Sequence, residues 1–303
     1  MLNISHPTAA GLFSYNSSVG MISSSPGAFS GLAPSCNIAS ESITKNKSAM
    51  KQKLFFASAM SALFMFAACK KSDPSPVNPT PVTEKKLKKV TKTEAGTTTV
   101  YNITYDAAGR LLSYKSTDNK EFVQLTYDAA GNLVKLEQQD ADVRNVYTYA
   151  YVNNIPVNST QKSWDISGGL PGTLNEDNVL DYTVSNNQVS KIKMTMLGGV
   201  EINYILTYTN GNLTRVAGDG MFPVITEITY GTKKPVYPRA INWVLDPAGY
   251  SLQFTARNEV TKVFLDFPGT ANDETVNIAY TYDAAGYALT SNDGNSQQTF
   301  EYQ

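Results

Sequence analysis

The chain is poor in the residues on which most enzymatic chemistry depends. Of 303 residues one is histidine, His6, and two are cysteine, Cys36 and Cys69. Two cysteines cannot build a disulfide framework in a chain this long, and no C-x-x-C or Cys/His cluster is present to hold zinc. No D-x-[DN]-x-[DN]-G run offers a calcium loop. A charge bias is missing as well. Lys and Arg number 25 against 26 Asp and Glu, a formal net charge of −1, so a basic face for nucleic acid is not expected. No metal or cofactor is expected.

What is present first is an export signal. MKQKLFFASAMSALFMFAAC, residues 50–69, has two lysines, an apolar run from Leu54 to Ala67, small residues at Ala67 and Ala68, and then Cys69. The run is shorter than the roughly 20 residues a permanent membrane helix needs, so it reads as a cleaved secretory signal. Phe66-Ala67-Ala68-Cys69 resembles the lipobox of bacterial lipoproteins, with Phe66 where Leu, Val or Ile is usual. That resemblance implies cleavage between Ala68 and Cys69 and lipidation of Cys69; an ordinary signal with an incidental cysteine is the alternative. Residues 1–49 precede a complete signal and are rich in Ser, Asn and Gly. They read as a misplaced start or a disordered leader.

Processing changes the inventory. Loss of residues 1–68 removes Lys45, Lys47, Lys51, Lys53 and Glu41, four positive charges and one negative, which takes the net charge from −1 to −4. It also removes the single histidine, so no Ser/His or Cys/His nucleophile pair and no His-ligated metal site can be assembled. Residues 69–86 then form a tether with four prolines between positions 74 and 81, an extended spacer that cannot pack a core. The expected partners are a membrane, through the N-terminal lipid, and a glycan or envelope protein.

From Leu87 to the end, apolar residues alternate with polar ones. Tyr101, Ile103 and Tyr105 face away from Asn102 and Thr104; Val123, Leu125 and Tyr127 away from Gln124 and Thr126; Val276, Ile278, Tyr280 and Tyr282 away from Asn277 and Thr281. Tyr147/Tyr149/Tyr151, Leu180/Tyr182/Val184, Ile202/Tyr204/Leu206/Tyr208 and Ile241/Trp243/Leu245 follow the same rule. Such alternation marks half-buried antiparallel strands. The strands come in repeats: YDAAG occurs at 105–109, 127–131 and 282–286, and weaker copies read VSNNQV at 184–189, YTNGNL at 208–213, YGTKKPV at 230–236 and LDPAGYSL at 245–252. Each unit reads strand, tight turn, strand, for about 15 to 18 strands and no convincing helix.

YDAAGRL and YDAAGNL resemble the YD repeats of the RHS family, and YDAAGYAL does so loosely. The lipoprotein start and the degenerate copies also resemble Bacteroidetes lipoproteins of unknown function with a porin-like β fold. These resemblances imply a long, curled antiparallel sheet over residues 87–303; nothing matches the self-cleaving core of RHS toxins. Physics points the same way. A sheet with one apolar face and no helices to cover it must roll up, so the fold expected is all-β: a curled antiparallel meander of hairpins forming one barrel-like or half-barrel domain. A true membrane barrel is the alternative, since outer-membrane strands also alternate.

The repeated Asp reads as geometry. Asp106, Asp128 and Asp283 end a strand and start a turn whose backbone N–H groups a carboxylate can accept, while Gly109, Gly131 and Gly286 take the positive φ. Asn in the weaker copies fits such an Asx turn and not a general acid. Binding groups belong where the repeat fails: residues 163–178, with Trp164 and Asp165, then 217–224, 231–240 and 267–275. Exposed Trp164, Phe222 and Tyr237 would stack on sugar rings or plug the barrel ends. The expectation is a cell-envelope lipoprotein acting as a non-catalytic binding or structural module. The competing reading is a hydrolase using loop carboxylates among Asp165, Glu176, Asp177 and Asp219.

Overall fold

The computed structural model describes residues 84–303 except 141, 168, 221, 222 and 248. The N-terminal extension, the signal, Cys69 and the tether up to residue 83 lie outside the described residues, as does Phe222.

The alternating segments are strands, separated by turns of Gly, Asn and Asp. In chain order they are β1 (Leu87–Glu94), β2 (Thr97–Tyr105), β3 (Leu111–Ser116), β4 (Phe122–Tyr127), β5 (Leu133–Gln139), β6 (Val143–Val152), β7 (Ile155–Ser167), β8 (Leu170–Ser185) and β9 (Gln188–Thr195). Then follow β10 (Glu201–Thr209), β11 (Asn212–Gly218), β12 (Ile225–Tyr230), β13 (Val260–Asp266), β14 (Glu274–Asn277), β15 (Ala279–Tyr282), β16 (Ala288–Asn292) and β17 (Ser296–Tyr302). All belong to one 17-stranded sheet. Each pairs antiparallel with its sequence neighbours, and β14 and β15 are two halves of one strand interrupted at Ile278, whose N–H donates to the Thr261 carbonyl at 2.8 Å. The ladder returns on itself, because β17 pairs with β1 and sets Val90 opposite Phe300. The curl is a closed meander barrel, and closure removes the edges at which sheets aggregate.

The wall is apolar inside and polar outside. Tyr101, Ile103, Leu125, Leu136, Tyr147, Leu180 and Ile192 are buried, whereas Asn102, Thr104, Gln124 and Thr126 are exposed. Outward threonines and serines pair across strands, as in Thr104–Ser113 at 2.7 Å and Thr148–Thr160 at 2.6 Å. Outward charges pair too: Lys89–Glu301 at 2.5 Å and Lys162–Asp177 at 3.2 Å. A barrel facing lipid has the reverse polarity, so the membrane-barrel alternative does not describe this wall.

The interior holds what the repeat pattern conceals. A barrel of about 16 strands is too wide for its own side chains to fill. Here residues 231–259 leave the wall after β12 and fold into the lumen, returning at β13. Their Ile241, Leu245, Tyr250 and Phe254 pack into one core cluster with Tyr101, Leu136 and Tyr147 from the wall. Val244 and Leu252 join a second cluster with Ile192, Leu206 and Val216. Two expectations fail here: Ile241/Trp243/Leu245 is not a strand, and the units at 230–236 and 245–252 are not wall hairpins. Pro235, Pro238 and Pro247 lack the N–H that a central strand donates, and the described part of the segment is irregular apart from a 3-10 turn at Leu252–Phe254.

Residues 163–178 also differ from expectation. They are not a loop but the paired ends of β7 and β8, matched as far as Ser167 opposite Leu170. Their glycines and Pro171 hide the alternation, and two register irregularities between Ser163 and Ile166 absorb the mismatch. Since β8 pairs with β9 only from Val179 onward, the hairpin tip projects past its neighbour.

Candidate functional site

The meander gives the barrel two unlike ends. The near rim holds the start of β1, the end of β17, the Y-D-A-A-G turns and the roots of the plug at 231 and 259. The far rim holds the alternate turns and the β7–β8 tip.

At the near rim the three aspartates cap their own turns. Asp106 Oδ1 accepts the Arg110 N–H at 2.8 Å, Asp128 Oδ1 the Asn132 N–H at 2.8 Å, and Asp283 Oδ1 the Tyr287 N–H at 2.9 Å. These bonds hold all three carboxyls below the usual carboxylate range. The chief donors are the Arg110 backbone for Asp106, the Asn132 side chain for Asp128 and the Lys85 ammonium for Asp283. The weaker copies work differently. Asn153–Asn154, Asn186–Asn187 and Asn210–Gly211 all have positive φ, the signature of two-residue hairpin turns. Asparagine serves there through its tolerance of left-handed backbone; where a side-chain oxygen accepts, as Asn154 Oδ1 does from Asn132 Nδ2 at 2.9 Å, the donor belongs to the neighbouring turn.

The repeat tyrosines have a role the sequence did not expose. Tyr127 donates its hydroxyl to the Leu111 carbonyl at 2.8 Å and Tyr151 to the Leu133 carbonyl at 2.8 Å. In both pairs the acceptor is the leucine that closes the preceding repeat's turn. Tyr105 to Leu87, Tyr208 to Val189, Tyr230 to Leu213 and Tyr280 to Val260 extend the ladder at 2.6 to 3.0 Å. The tyrosine of the third YDAAG copy, Tyr282, departs from the ladder and donates to Glu259 Oε1 of the plug at 3.1 Å. Burial pushes the Tyr105 hydroxyl up to about 12.

Toward the far rim the inner wall turns polar. Gln138, Asn145, Gln161, Ser163 and Asn178, from β5 to β8, point inward and are buried. Asn145 Nδ2 donates to Gln138 Oε1 at 2.8 Å and to the Tyr250 hydroxyl of the plug at 3.4 Å. Gln161 Nε2 donates to Glu176 Oε2 at 2.9 Å, and Asn178 Nδ2 to Gln161 Oε1 at 3.3 Å. The belt continues through Ser116, Ser296 and Gln298, all buried. It is a half-ring of amides and hydroxyls whose floor is Tyr250.

Of the expected binding residues, Trp164 and Asp165 lie at this end and Tyr237 does not. Trp164 is half-buried on the outward side of β7, opposite Arg144 and Leu174. Asp165 is exposed and accepts the Asn175 amide at 2.5 Å. Tyr237 is not exposed: it lies in the plug with its ring edge-on to Tyr114 and Phe254, at 5.6 and 6.0 Å between centroids. Its burial pushes the hydroxyl up to about 12. The loop carboxylates do not converge. Glu176 turns inward to Gln161, Asp177 turns outward to Lys162, and Asp219 caps Asn203 with N–H···Oδ1 at 2.6 Å, which lowers its carboxyl. The carboxyl that burial raises is Asp246, sealed in the plug with both oxygens taken by the Tyr250 and Ser251 N–H groups at 2.8 Å. None of these is poised as a general acid in a cleft.

Comparisons with known proteins agree with the architecture. No curated protein matches the chain. A porin-like protein from Bacteroides uniformis superposes with TM-score 0.44 at 16% identity over 72% of this chain and 98% of its own. A porin-like protein from Bacteroides vulgatus does so with TM-score 0.50 at 13% identity over 73% and 99%. The RHS repeat family model matches residues 105–142, which contain the two clearest copies of the turn. The chain therefore carries RHS-type repeats wound into an all-β fold similar to that of the Bacteroides vulgatus porin-like protein.

Proposed function

We propose that this is a lipid-anchored cell-envelope protein whose far rim binds a neutral, hydroxyl-rich ligand such as a glycan segment. The observation that carries the reading is the inward row of Gln138, Asn145, Gln161 and Asn178 at one end of a mainly apolar lumen. A primary amide offers two donors and two acceptor sites, the complement of vicinal hydroxyls, and the bonds of Asn145 to Gln138, Gln161 to Glu176 and Asn178 to Gln161 use only part of that capacity. The surrounding turns carry Asp118, Asp140, Asp142, Asp219, Asp273 and Asp293, a field that disfavours anionic ligands. The signal and Cys69, together with similarity to proteins named porin-like, support the envelope placement.

The test is a glycan array on the mature protein, followed by calorimetry on hits with the double variant Gln161→Leu/Asn178→Leu. Binding without turnover that the variant abolishes is expected. Release of shortened product from a bound glycan would replace this reading with the hydrolase one.

A further inference from the structure

The two rims differ in charge as well as in polarity. At the near rim Lys86, Lys233, Arg239 and Arg257 are exposed, and among the described residues none of the four has a carboxylate partner. The near-rim acids are largely engaged. Asp106 is bridged to Arg110 at 2.6 Å, Asp283 to Lys85 at 2.6 Å and Glu84 to Lys234 at 3.7 Å, while Asp246 and Glu259 are buried. Asp128 is the main countercharge and is occupied by the Asn132 amide at 2.9 Å. Arg239 and Arg257 line one shallow cleft with Trp243, between the plug and the turns after β8 and β10.

We propose that the near rim is a docking surface for an anionic phospholipid bilayer, with Lys233, Arg239 and Arg257 at its centre. Charge complementarity is the first argument: a lysine or arginine near an anionic leaflet attracts it, and the contributions accumulate. The second is where the chain arrives. The tether reaches the barrel at Leu87, on this rim, and its 18 residues, 69–86, span about 56 Å if extended as polyproline at ~3.1 Å per residue. A barrel anchored through Cys69 is thereby held next to lipid at high effective concentration, so weak contacts suffice to orient it. Docking turns the amide mouth away from the bilayer. The orientation rests on the anchoring reading, but the charge contact does not.

The test separates the two. The mature chain from residue 69, which contains every described residue, is made with Cys69→Ala so that no lipid is attached. It is then sedimented with vesicles of phosphatidylglycerol and phosphatidylcholine, or of phosphatidylcholine alone. The expected result is binding to the anionic vesicles at low salt, at least about tenfold weaker on neutral ones and lost at high salt. Lys233→Glu/Arg239→Glu/Arg257→Glu lowers it at least about tenfold, and the far-rim reversal Lys120→Glu leaves it unchanged. Should the triple reversal fail to fold by circular dichroism, Lys233→Gln/Arg257→Gln gives a smaller drop in the same direction. Equal binding to both vesicle types, binding to neither, or a folded reversal that binds like the parent overturns the proposal. Acylation is read independently, from the mass of the N-terminal peptide of the wild-type protein.

Discussion

The same turn is built twice in opposite surroundings. At 127–131 the wall copy sits on a rim, its Asp128 half-buried and its carboxyl lowered by the hydrogen bonds it accepts. At 245–249 the plug copy, Leu-Asp-Pro-Ala-Gly, has Asp246 only 1% exposed, with a carboxyl that burial raises. Both aspartates accept the N–H four residues on, at 2.8 Å, and Gly131 and Gly249 have φ of +89° and +83°. The backbone path is therefore a local property of the motif. Where the turn ends up, and what its Asp is worth, depends on everything around it.

Breaking the comparison at the buried copy has the largest expected effect. Asp246→Ala strands two buried N–H groups and should cost on the order of 3–5 kcal/mol in urea denaturation, against less than about 1 kcal/mol for Asp128→Ala on the rim. Next comes Gly131→Val, which forces a β-branched residue to positive φ and should cost about 2 kcal/mol; parity with a neutral surface substitution would refute the turn geometry. Tyr127→Phe deletes one rung of the ladder, with about 1 kcal/mol expected from the lost bond to Leu111. Asp128→Asn retains an acceptor and should change stability by less than about 0.5 kcal/mol at neutral pH.

Acid sharpens the contrast. The folded carboxyls of Asp106, Asp128 and Asp283 lie below the ordinary value of 3.8. Their stabilisation is present above that value and is lost as pH falls through the lowered folded values. Asp246 has the opposite sign: its folded carboxyl lies above 3.8, so its cost to stability grows as pH rises through that value. Thermal melts near pH 6 and near pH 3 should therefore show the gap between wild type and Asp128→Ala shrinking in acid.

How much of this was legible depends on range. Strand period is a short-range signal, and Tyr101/Ile103/Tyr105 or Tyr147/Tyr149/Tyr151 can be placed on the inner face by reading alone. Curling followed from the need to cover one apolar face, but closure did not: a half-barrel meets the same need, and only the pairing of β17 with β1 decides between them. The plug was not legible, because LDPAGYSL satisfies the local rules of a repeat and only the width of the finished barrel draws it inward. The prolines at 235, 238 and 247 were the available signal. The far-rim amides were hidden for a related reason: Gln138 and Asn178 occupy inward positions of strands, yet a polar residue in an alternating pattern reads as solvent-facing. The segment of Trp164 and Asp165 has the composition of a loop, and its pairing as a hairpin keeps both residues at the far rim.

The seam between β1 and β17 has a consequence for how such a chain is made. Leu87 and Tyr302 are opposite one another, so the two ends of the domain meet only when synthesis has passed the last strand. Until then an emerging sheet has two open edges and no means of closing them. A truncated product lacking β17 keeps both edges open, whereas a finished domain latches its own ends. Completeness is thus read out mechanically, by the chain itself.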